Sequence, residues 1–319
     1  MNMPAKEIVF VFRRSQFRHG STTMRAHQLC RQVAPHLPAG WRASLSGLPT
    51  PGFPLLQLLW AKRMKAGTAL FVTKHAAKKL LPETLALLHR RRCVICLDYV
   101  DGDLRNMRAE GVDVHLSCSL AGKREMERLQ AESRSSGRPI TGRVGLLFHN
   151  VDSRLLGTGP LPGDRLRSVY FGSMRRAFLP EAVARRIEVL DAGNTQAARR
   201  SIARLADYNF HYCVSPAVSF APRIVRRPFT KGFTAAAVGA NVIVNRAVDD
   251  AVELLGADYP YLVQDLSEEA VLERLAFATE SFGGPEWRLA AERMAELRRL
   301  VEPVALARQL VQIFSDAMR

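Results

Sequence analysis

The chain has 319 residues, of which 47% are hydrophobic, so it can form a core and has room for two domains of about 150 residues each. No run approaches the roughly 18 apolar residues that a membrane-spanning helix needs, and the N-terminus leads straight into a strand pattern. We therefore expect neither a spanning helix nor a signal peptide. Five scattered cysteines in apolar contexts favour reduced, buried thiols and a cytoplasmic location.

Positive charge is concentrated in the first half of the chain. Residues 1–150 contain 24 Lys and Arg against 10 Asp and Glu, a net charge of +14, whereas the remainder carries +2. A strongly basic surface attracts anionic membranes, polyanions or nucleic acid. No recognisable nucleic-acid-binding motif accompanies the charge, so a nucleic-acid partner is the least favoured of these.

Short apolar strands alternate with helical patterns along the first half. A helix is predicted at 24–37 and another helical stretch at 76–92. Strands are predicted at 6–14, 69–73, 93–99 and 112–118. Strands that are apolar throughout and alternate with helices are typical of a parallel sheet covered on both faces.

The same pattern restarts after about residue 150. A helical pattern covers 180–193, Ser267 is a good N-cap for a later helix, and Pro303 opens the last helix. Strands are predicted at 167–173, 208–215, 241–246 and 259–263. The sequence therefore predicts two α/β, Rossmann-like domains in series.

Cations cluster at the start of one helix in the second half. In a doubly wound sheet, ligands bind where strands end and helices begin, and a helix N-terminus suits phosphate. Arg226, Arg227 and Lys231 lie at the entry to the alanine-rich helix at 232–240. Thr230 or Thr234 would add a hydroxyl, and Gly232 would let the backbone approach a ligand closely. This pattern predicts a diphosphate site, and an ordinary surface helix with solvated cations is the alternative.

The order of these segments resembles the GT-B glycosyltransferases, in particular a family 4/1-like C-terminal domain. The similar segments are "LFHNVD" (147–152), "VYFGS" (169–173), "ADYNFHYCVSP" (206–216), "TAAAVGANVIV" (234–244) and "ELLG" (253–256). The resemblance covers most of residues 145–315. The first half is similar only in its strand–loop–helix layout.

The resemblance implies two Rossmann-like domains with a cleft between them, and transfer of a sugar from a nucleotide-sugar to a saccharide, lipid-linked or protein acceptor. Residues 1–150 would bind the acceptor, residues 151–302 the donor, and the helix at 303–319 would return to the first domain. We expect no cofactor and no metal, because fixed cations and a helix dipole can stabilise the leaving diphosphate. The donor-binding residues would be Gly172, Ser173, Arg227, Thr230, Lys231, Gly232 and Thr234.

One departure from the family pattern matters for catalysis. Retaining members carry two glutamates eight positions apart in the donor site, and the matching positions here hold Arg226 and Thr234. A non-catalytic relative that binds a sugar or nucleotide, or serves as a scaffold, therefore stays open.

An inverting transfer needs a base near the acceptor hydroxyl. The candidates are Asp101, His19 and Asp98, which lie at the end of a predicted strand or in the loop after it, and Gly20 and Arg25 are candidates for acceptor binding. Each has a plain alternative: the carboxylates cap a helix or bind loop amides, His19 is a solvated loop residue, and Arg25 is surface charge.

A short apolar run in the first half is flanked by cations. The run "FPLLQLLW" (53–60) precedes Lys62, Arg63 and Lys65. Such a segment can lie in the interface of an anionic membrane, which predicts peripheral attachment at the inner face of the cell membrane. The alternative is that Phe53, Leu56 and Trp60 pack in the core.

Overall fold

A computed structural model describes residues 6–17, 20–49, 53–135, 137–159, 163–193, 195–216 and 222–319. The chain divides into two compact units. Unit 1 consists of Met1–Asn150, Phe220–Pro228 and Glu302–Arg319, and unit 2 of Val151–Ser219 and Phe229–Val301. The last helix therefore belongs to unit 1. So does the segment Phe220–Pro228, which was expected in the second domain.

Each unit is built on one parallel sheet, which confirms the predicted fold class of two α/β units. The strands of unit 1 are β1 (Lys6–Arg13), β2 (Trp41–Leu48), β3 (Ala69–Val72), β4 (Val94–Asp98), β5 (Val114–Ser117) and β6 (Arg143–Leu146). Those of unit 2 are β7 (Ser168–Gly172), β8 (Glu188–Asp191), β9 (Phe210–Tyr212), β10 (Asn241–Asn245) and β11 (Leu262–Val263). The spatial orders are β2-β1-β3-β4-β5-β6 and β11-β10-β9-β7-β8.

The helices are distributed over both units. In unit 1 they are α1 (Gly20–Thr22), α2 (Leu29–Val33), α3 (Pro54–Arg63), α4 (Lys74–Ala77), α5 (Pro82–Arg90), α6 (Leu120–Ser135) and α13 (Pro303–Ala317). In unit 2 they are α7 (Glu181–Ala184), α8 (Thr195–Ser201), α9 (Thr230–Ala237), α10 (Ala251–Leu255), α11 (Glu268–Glu280) and α12 (Pro285–Val301). A π-helical stretch, Thr23–Gln28, joins α1 to α2.

The strands that the sequence pattern did not reveal all lie at sheet edges. β2 and β6 are the two edges of the first sheet, and β8 is one edge of the second. Edge strands are half exposed, so their residues do not form a continuous apolar run, in contrast to the fully buried β3, β4 and β5. The helical pattern expected at 180–193 is therefore wrong over its second part, which forms β8.

Buried side chains of the last helix pack it into the core of unit 1. Leu306, Leu310 and Phe314 are fully buried on α13, which packs against α2 and β6. All five cysteines are free and buried, as predicted. Ser267 caps α11 as expected, its side chain accepting a hydrogen bond from the backbone N–H of Ala270. Within the described ranges, no helix combines the length and apolar character needed to cross a membrane.

The strand order locates the natural ligand position in each unit. In unit 1 the chain leaves β1 for β2 on one side and then returns to β3 on the other. In unit 2 it leaves β7 for β8 and then crosses to β9 on the opposite side of β7. Ligands of such sheets bind at the carboxyl ends of the strands where this reversal occurs. These points are the ends of β1 and β3 in unit 1, and of β7 and β9 in unit 2.

Candidate functional site

In unit 2, a lysine, a tyrosine and a glycine meet at the carboxyl end of β7. Lys231 is the second residue of α9, and its Nζ lies 4.4 Å from the centre of the Tyr170 ring. A Cβ on Gly172 would lie 2.8 Å from the Tyr170 hydroxyl oxygen and 3.2 Å from Cε of Lys231, so a side chain there would force both to move. The Tyr170 hydroxyl donates a hydrogen bond to the carbonyl of Ser173 at 2.7 Å. The structure thus brings together the predicted residues Gly172, Ser173 and Lys231.

The buried tyrosine under the lysine stays neutral. Tyr170 is fully buried, and burial raises the pKa of its hydroxyl to about 12, with a further increase from Cys213 and Asp191. An uncharged ring is a favourable cation–π partner, worth roughly 0.5–1 kcal/mol at a partly exposed site. The contact holds the Lys231 ammonium in place beside Gly172.

The N-terminus of α9 lies at the same place. Its N-cap residue is Phe229, whose phenyl ring cannot accept the hydrogen bonds that a capping side chain would take from the first turn. Thr230 and Thr234 are half-buried and one helical turn apart, so they lie on one face of α9. A helix end of this kind, with a lysine in its first turn, suits an anionic ligand.

Two arginines next to this site were missed by the sequence analysis. Arg175 and Arg176 follow Ser173 after one intervening residue and are exposed in the short helical turn Met174–Arg176. The signal was available, since two adjacent arginines come one residue after the predicted strand 167–173.

Gly232 has a packing role in the structure. A Cβ at this position would collide with the ring of Phe229, and Gly232 is itself buried. The glycine is required for packing of Phe229 against α9. Its predicted role in the approach of a ligand stays a prediction.

The two arginines that precede α9 belong to unit 1. The backbone N–H of Leu104 donates to the carbonyl of Ile224 at 2.8 Å, and the Ile224 N–H donates to Oδ1 of Asp103 at 3.1 Å. Arg226 forms an ion pair with Glu125 at 3.4 Å. Arg227 lies in the same segment, so it is in the other unit from Gly172 and Lys231. Its predicted role in donor binding stays a prediction.

In unit 1, Asp98 and Arg25 form a buried ion pair, which corrects the roles predicted for both. Nε and Nη2 of Arg25 donate to the two carboxylate oxygens of Asp98 at 3.1 and 3.0 Å, and both side chains are 0% exposed. Nη1 donates to the carbonyl of Phe148 at 3.0 Å. Burial disfavours the charged guanidinium, but the Asp98 carboxylate more than offsets this, so the pKa of Arg25 is raised. Neither group is free to contact a substrate.

A histidine lies in the same buried cluster. His149 is buried, and its Nδ1 lies 2.8 Å from the carbonyl oxygen of Asn150. Burial and the nearby Arg25 charge lower the pKa of His149 to about 4. The cluster therefore fixes the end of unit 1 that directly precedes Val151, the first residue of unit 2.

The remaining candidates from the sequence are Asp101, Gly20 and His19. Asp101 is exposed in the turn that follows β4, where the Gly102 N–H donates to the Tyr99 carbonyl at 2.8 Å, and its φ is 49°. Gly20 opens α1, and a Cβ there would meet nothing within 4 Å. His19 lies outside the described residues. The roles of Asp101, His19 and Gly20 stay predictions.

Helix α3 exposes most of the apolar run that was singled out in the sequence. Trp60 is buried, and its Nε1–H donates to the hydroxyl of Ser46 at 2.8 Å, so this residue follows the core alternative. Four large side chains, here called the α3 surface, are between 43% and 67% exposed: Phe53, Leu55, Leu56 and Leu59. Lys62, Arg63 and Lys65 are exposed at the C-terminal end of the same segment.

In the part of the chain that the structure describes, no group of three or more His, Cys, Asp or Glu side chains is arranged to hold a metal ion.

Comparisons with known proteins identify the fold. No protein-family model matches the sequence, and no curated protein matches it significantly. Solved structures do match. A glycosyltransferase from Rickettsia africae has a TM-score of 0.61 and 9% identity, with 99% of this chain and 100% of that chain covered. Anabaena HepE in complex with UDP has a TM-score of 0.59 and 10% identity, with 97% and 100% covered.

A third structure is longer than this protein. The GtfA/B complex has a TM-score of 0.50 and 9% identity, with 83% of this chain covered, and the chain spans 60% of the length of the chain it matches there. At such low identity, structural likeness is informative about the fold. The chain has the fold of these glycosyltransferase structures, which confirms the GT-B resemblance at the level of fold.

Proposed function

We propose that the protein transfers a sugar from a nucleotide-sugar to an acceptor hydroxyl. The observation that carries this proposal is the position of Lys231, which rests on Tyr170 beside Gly172 at the N-terminus of α9. The diphosphate of the donor would bind there, with Ser173, Thr230 and Thr234 as further contacts. HepE, which shares the fold, is solved with UDP, so UDP is the first nucleotide to test.

The reaction needs little beyond positioned charge and a base. The bond between the sugar C1 and the diphosphate oxygen breaks, and a bond from C1 to the acceptor oxygen forms. Lys231 and the N–H groups of α9 would stabilise the negative charge that develops on the departing diphosphate. In an inverting transfer, Asp101 or His19 would accept the proton of the acceptor hydroxyl. We propose that no metal or cofactor is required.

A non-catalytic protein with the same fold is the competing function. It is favoured by Arg226 and Thr234, which stand where retaining relatives carry glutamates. Such a protein would bind the nucleotide-sugar or its sugar without turnover.

The experiment that decides between them combines binding with turnover. Thermal stability should be measured with UDP, other nucleoside diphosphates and UDP-glucose, since a ligand that binds only the folded state raises the unfolding temperature. Release of UDP from UDP-glucose should then be followed with candidate saccharide acceptors. Stabilisation with turnover supports the transferase. Stabilisation without turnover on any acceptor favours the binding protein, and no stabilisation by any nucleotide or nucleotide-sugar contradicts the transferase.

The acceptor side of the proposal includes an anionic membrane. The α3 surface presents four exposed apolar side chains next to Lys62, Arg63 and Lys65, and residues 1–150 carry a net charge of +14. Each basic residue near an anionic bilayer contributes about 1 kcal/mol, and the apolar side chains can enter the interface. Free, buried cysteines fit a reducing compartment, so we propose the cytoplasmic leaflet.

Liposome co-sedimentation tests membrane attachment separately from transfer. Binding should require anionic lipid, weaken as salt rises, and fall when Leu55 and Leu59 are both replaced by Ser. Replacing Met174, an exposed apolar side chain of unit 2, by Ser is the matched control. Equal recovery with neutral and anionic vesicles would contradict attachment.

A further inference from the structure

A pocket in unit 1 lies at the carboxyl ends of two neighbouring strands. Residues that follow β3 and β4 line it, with a contribution from the loop after Asn106. The polar lining side chains are Lys74, Lys78, Asp98, Tyr99, Asp103, Asn106 and Arg108. This edge of the sheet is where a parallel sheet of this kind binds its ligands.

The acidic groups in the pocket wall are already neutralised. Asp98 is paired with Arg25 at 3.0 Å. Asp103 is paired with Arg105 at 2.8 Å and also accepts the backbone N–H of Ile224 at 3.1 Å. The Arg105 contact lowers the pKa of Asp103 to about 2, so its charge is committed to these partners. The cations Lys74, Lys78 and Arg108 therefore dominate the field inside the pocket.

Arg108 is the most informative of these cations. Its Nη2 donates to the carbonyl of Ala77 at 3.2 Å and to that of Leu80, and its backbone N–H donates to the Tyr99 hydroxyl at 3.2 Å. These bonds hold the guanidinium at the wall of the pocket. Among the described residues, no carboxylate forms an ion pair with Arg108, although the residue is half-buried. Hydrogen bonds between a guanidinium and an anion are charge-assisted and stronger than those to a carbonyl, so an anionic ligand would supply a counter-charge for Arg108.

The position of the pocket connects it to the candidate base. Gly102 and Asp103 line the pocket, and they directly follow Asp101 in the turn after β4. A ligand anchored by the cations would therefore lie close to the turn that presents Asp101. This is the arrangement expected for an acceptor whose hydroxyl is to be deprotonated there.

We propose that this pocket binds an oxyanion, a phosphate or a carboxylate, carried by the sugar acceptor. Lys74, Lys78 and Arg108 provide the charge-assisted hydrogen bonds, and the exposed amide of Asn106 is available to a neighbouring hydroxyl. The inference rests on the proposed function, because it names the acceptor class for that reaction. The acceptor is thus an anionic saccharide, and a neutral sugar lacks the group that the pocket recognises.

The test is calorimetric titration of the full chain with three small probes. Glucose 1-phosphate carries the phosphate, glucuronate carries the carboxylate, and glucose is the neutral control. The double variant Lys74→Gln/Lys78→Gln removes two lining cations without touching the hydrogen bonds of Arg108. Lys79→Gln is the matched control, since Lys79 is an exposed neighbour that does not line the pocket. UDP is titrated into every variant as an independent measure of the unit 2 site.

At least one anionic probe should bind, glucose should not, and the double variant should weaken that binding about tenfold or more. The better of the two anionic probes identifies phosphate or carboxylate as the acceptor group. Lys79→Gln should behave as wild type, and UDP affinity should be unchanged in all variants.

The proposal is overturned if neither anionic probe binds more tightly than glucose, or if Lys79→Gln loses as much affinity for the anionic probe as the double variant. UDP binding in that case would leave the proposed function standing. If the anionic probes bind in the pocket and UDP does not bind, the result contradicts the proposed function but not the anion site.

Discussion

Arg25 in unit 1 and Lys231 in unit 2 are both cations that follow a strand of a parallel sheet, and both were expected to contact substrate. Arg25 is fully buried, with two of its nitrogens on the Asp98 carboxylate and a third on a backbone carbonyl. Lys231 is half-buried, with an uncharged aromatic ring beneath its ammonium and a glycine beside it. The first cation is compensated within the protein. The second has the surroundings of a ligand-binding group.

The difference lies in how each charge is compensated. A buried ion pair recovers its cost of desolvation only when geometry and extra hydrogen bonds are good, and the loss of one partner leaves a buried charge. A lysine over an aromatic ring at a partly exposed site gains only a small stabilisation from that contact. Arg25 is therefore expected to affect folding, and Lys231 binding.

The largest expected effect is on the stability of unit 1. Arg25→Met should lower the free energy of unfolding by about 3–5 kcal/mol, because Asp98 would remain buried without a counter-charge. Urea unfolding followed by circular dichroism measures this. The double variant Arg25→Met/Asp98→Leu should recover a large part of the loss. An Arg25→Met protein as stable as wild type would contradict the structural role of this cation.

A second effect concerns pH and the same buried cluster. The pKa of His149 is lowered from its ordinary value near 6.5 to about 4 by burial and by Arg25. As pH falls from 6.5 to 4, the unfolded chain binds a proton at this residue and the folded chain does not, so stability decreases by up to about 3 kcal/mol. Below pH 4 both states are protonated and the loss from His149 stops.

Unfolding midpoints in urea between pH 7 and 4 test this prediction. His149→Gln should be less sensitive to pH than wild type over this range. His211, whose pKa burial also lowers to about 4, supplies a comparable contribution in unit 2 and should persist in the variant. Identical pH profiles of variant and wild type would show that His149 is not held neutral.

A smaller loss of stability is expected for Gly232→Ala, which separates the packing of α9 from ligand binding. Gly232→Ala places a Cβ against the ring of Phe229 and should destabilise unit 2 by about 1–3 kcal/mol. Its affinity for UDP, measured where the protein is folded, should remain near that of wild type. A large loss of affinity without a loss of stability would support the ligand-binding role first predicted for this glycine.

The smallest effect on stability is expected for Lys231→Ala. The variant loses a cation–π contact worth roughly 0.5–1 kcal/mol at a half-exposed site and leaves no buried charge unpaired, so its free energy of unfolding should fall by less than that of Arg25→Met. Urea unfolding alongside Arg25→Met gives the direct comparison. A loss as large as that of Arg25→Met would place both cations in the same structural class.

The sequence predicted the fold well where burial is complete. Strands such as β3, β4 and β10 are buried along their whole length, so their sequences contain short apolar runs that leave a readable pattern. Edge strands such as β2 and β8 lack that pattern. The fold class follows from the central strands alone, which is why it was predictable while the strand count was not.

The candidate site was only partly predictable, since a side chain's partner depends on contacts distant in sequence. Asp98 and Arg25 are 73 residues apart, and no local pattern shows that they pair. The cluster of Gly172 and Lys231 was accessible because both follow local rules, a glycine at a strand end and a cation at a helix start. The pocket cations Lys74 and Arg108 follow no motif and emerge only once β3 and β4 are adjacent.

Calorimetric titration of UDP into three proteins tests the central claim, that unit 2 binds the diphosphate of a nucleotide-sugar at Lys231. The proteins are wild type, Lys231→Ala and Arg185→Ala. Arg185 is an exposed cation of unit 2 that pairs with Glu181, so it controls for the loss of one positive charge. A charge-assisted hydrogen bond is worth roughly 1.5–3 kcal/mol, so affinity should fall at least about tenfold in Lys231→Ala and stay unchanged in Arg185→Ala. Equal affinity of Lys231→Ala and wild type for UDP would contradict the account.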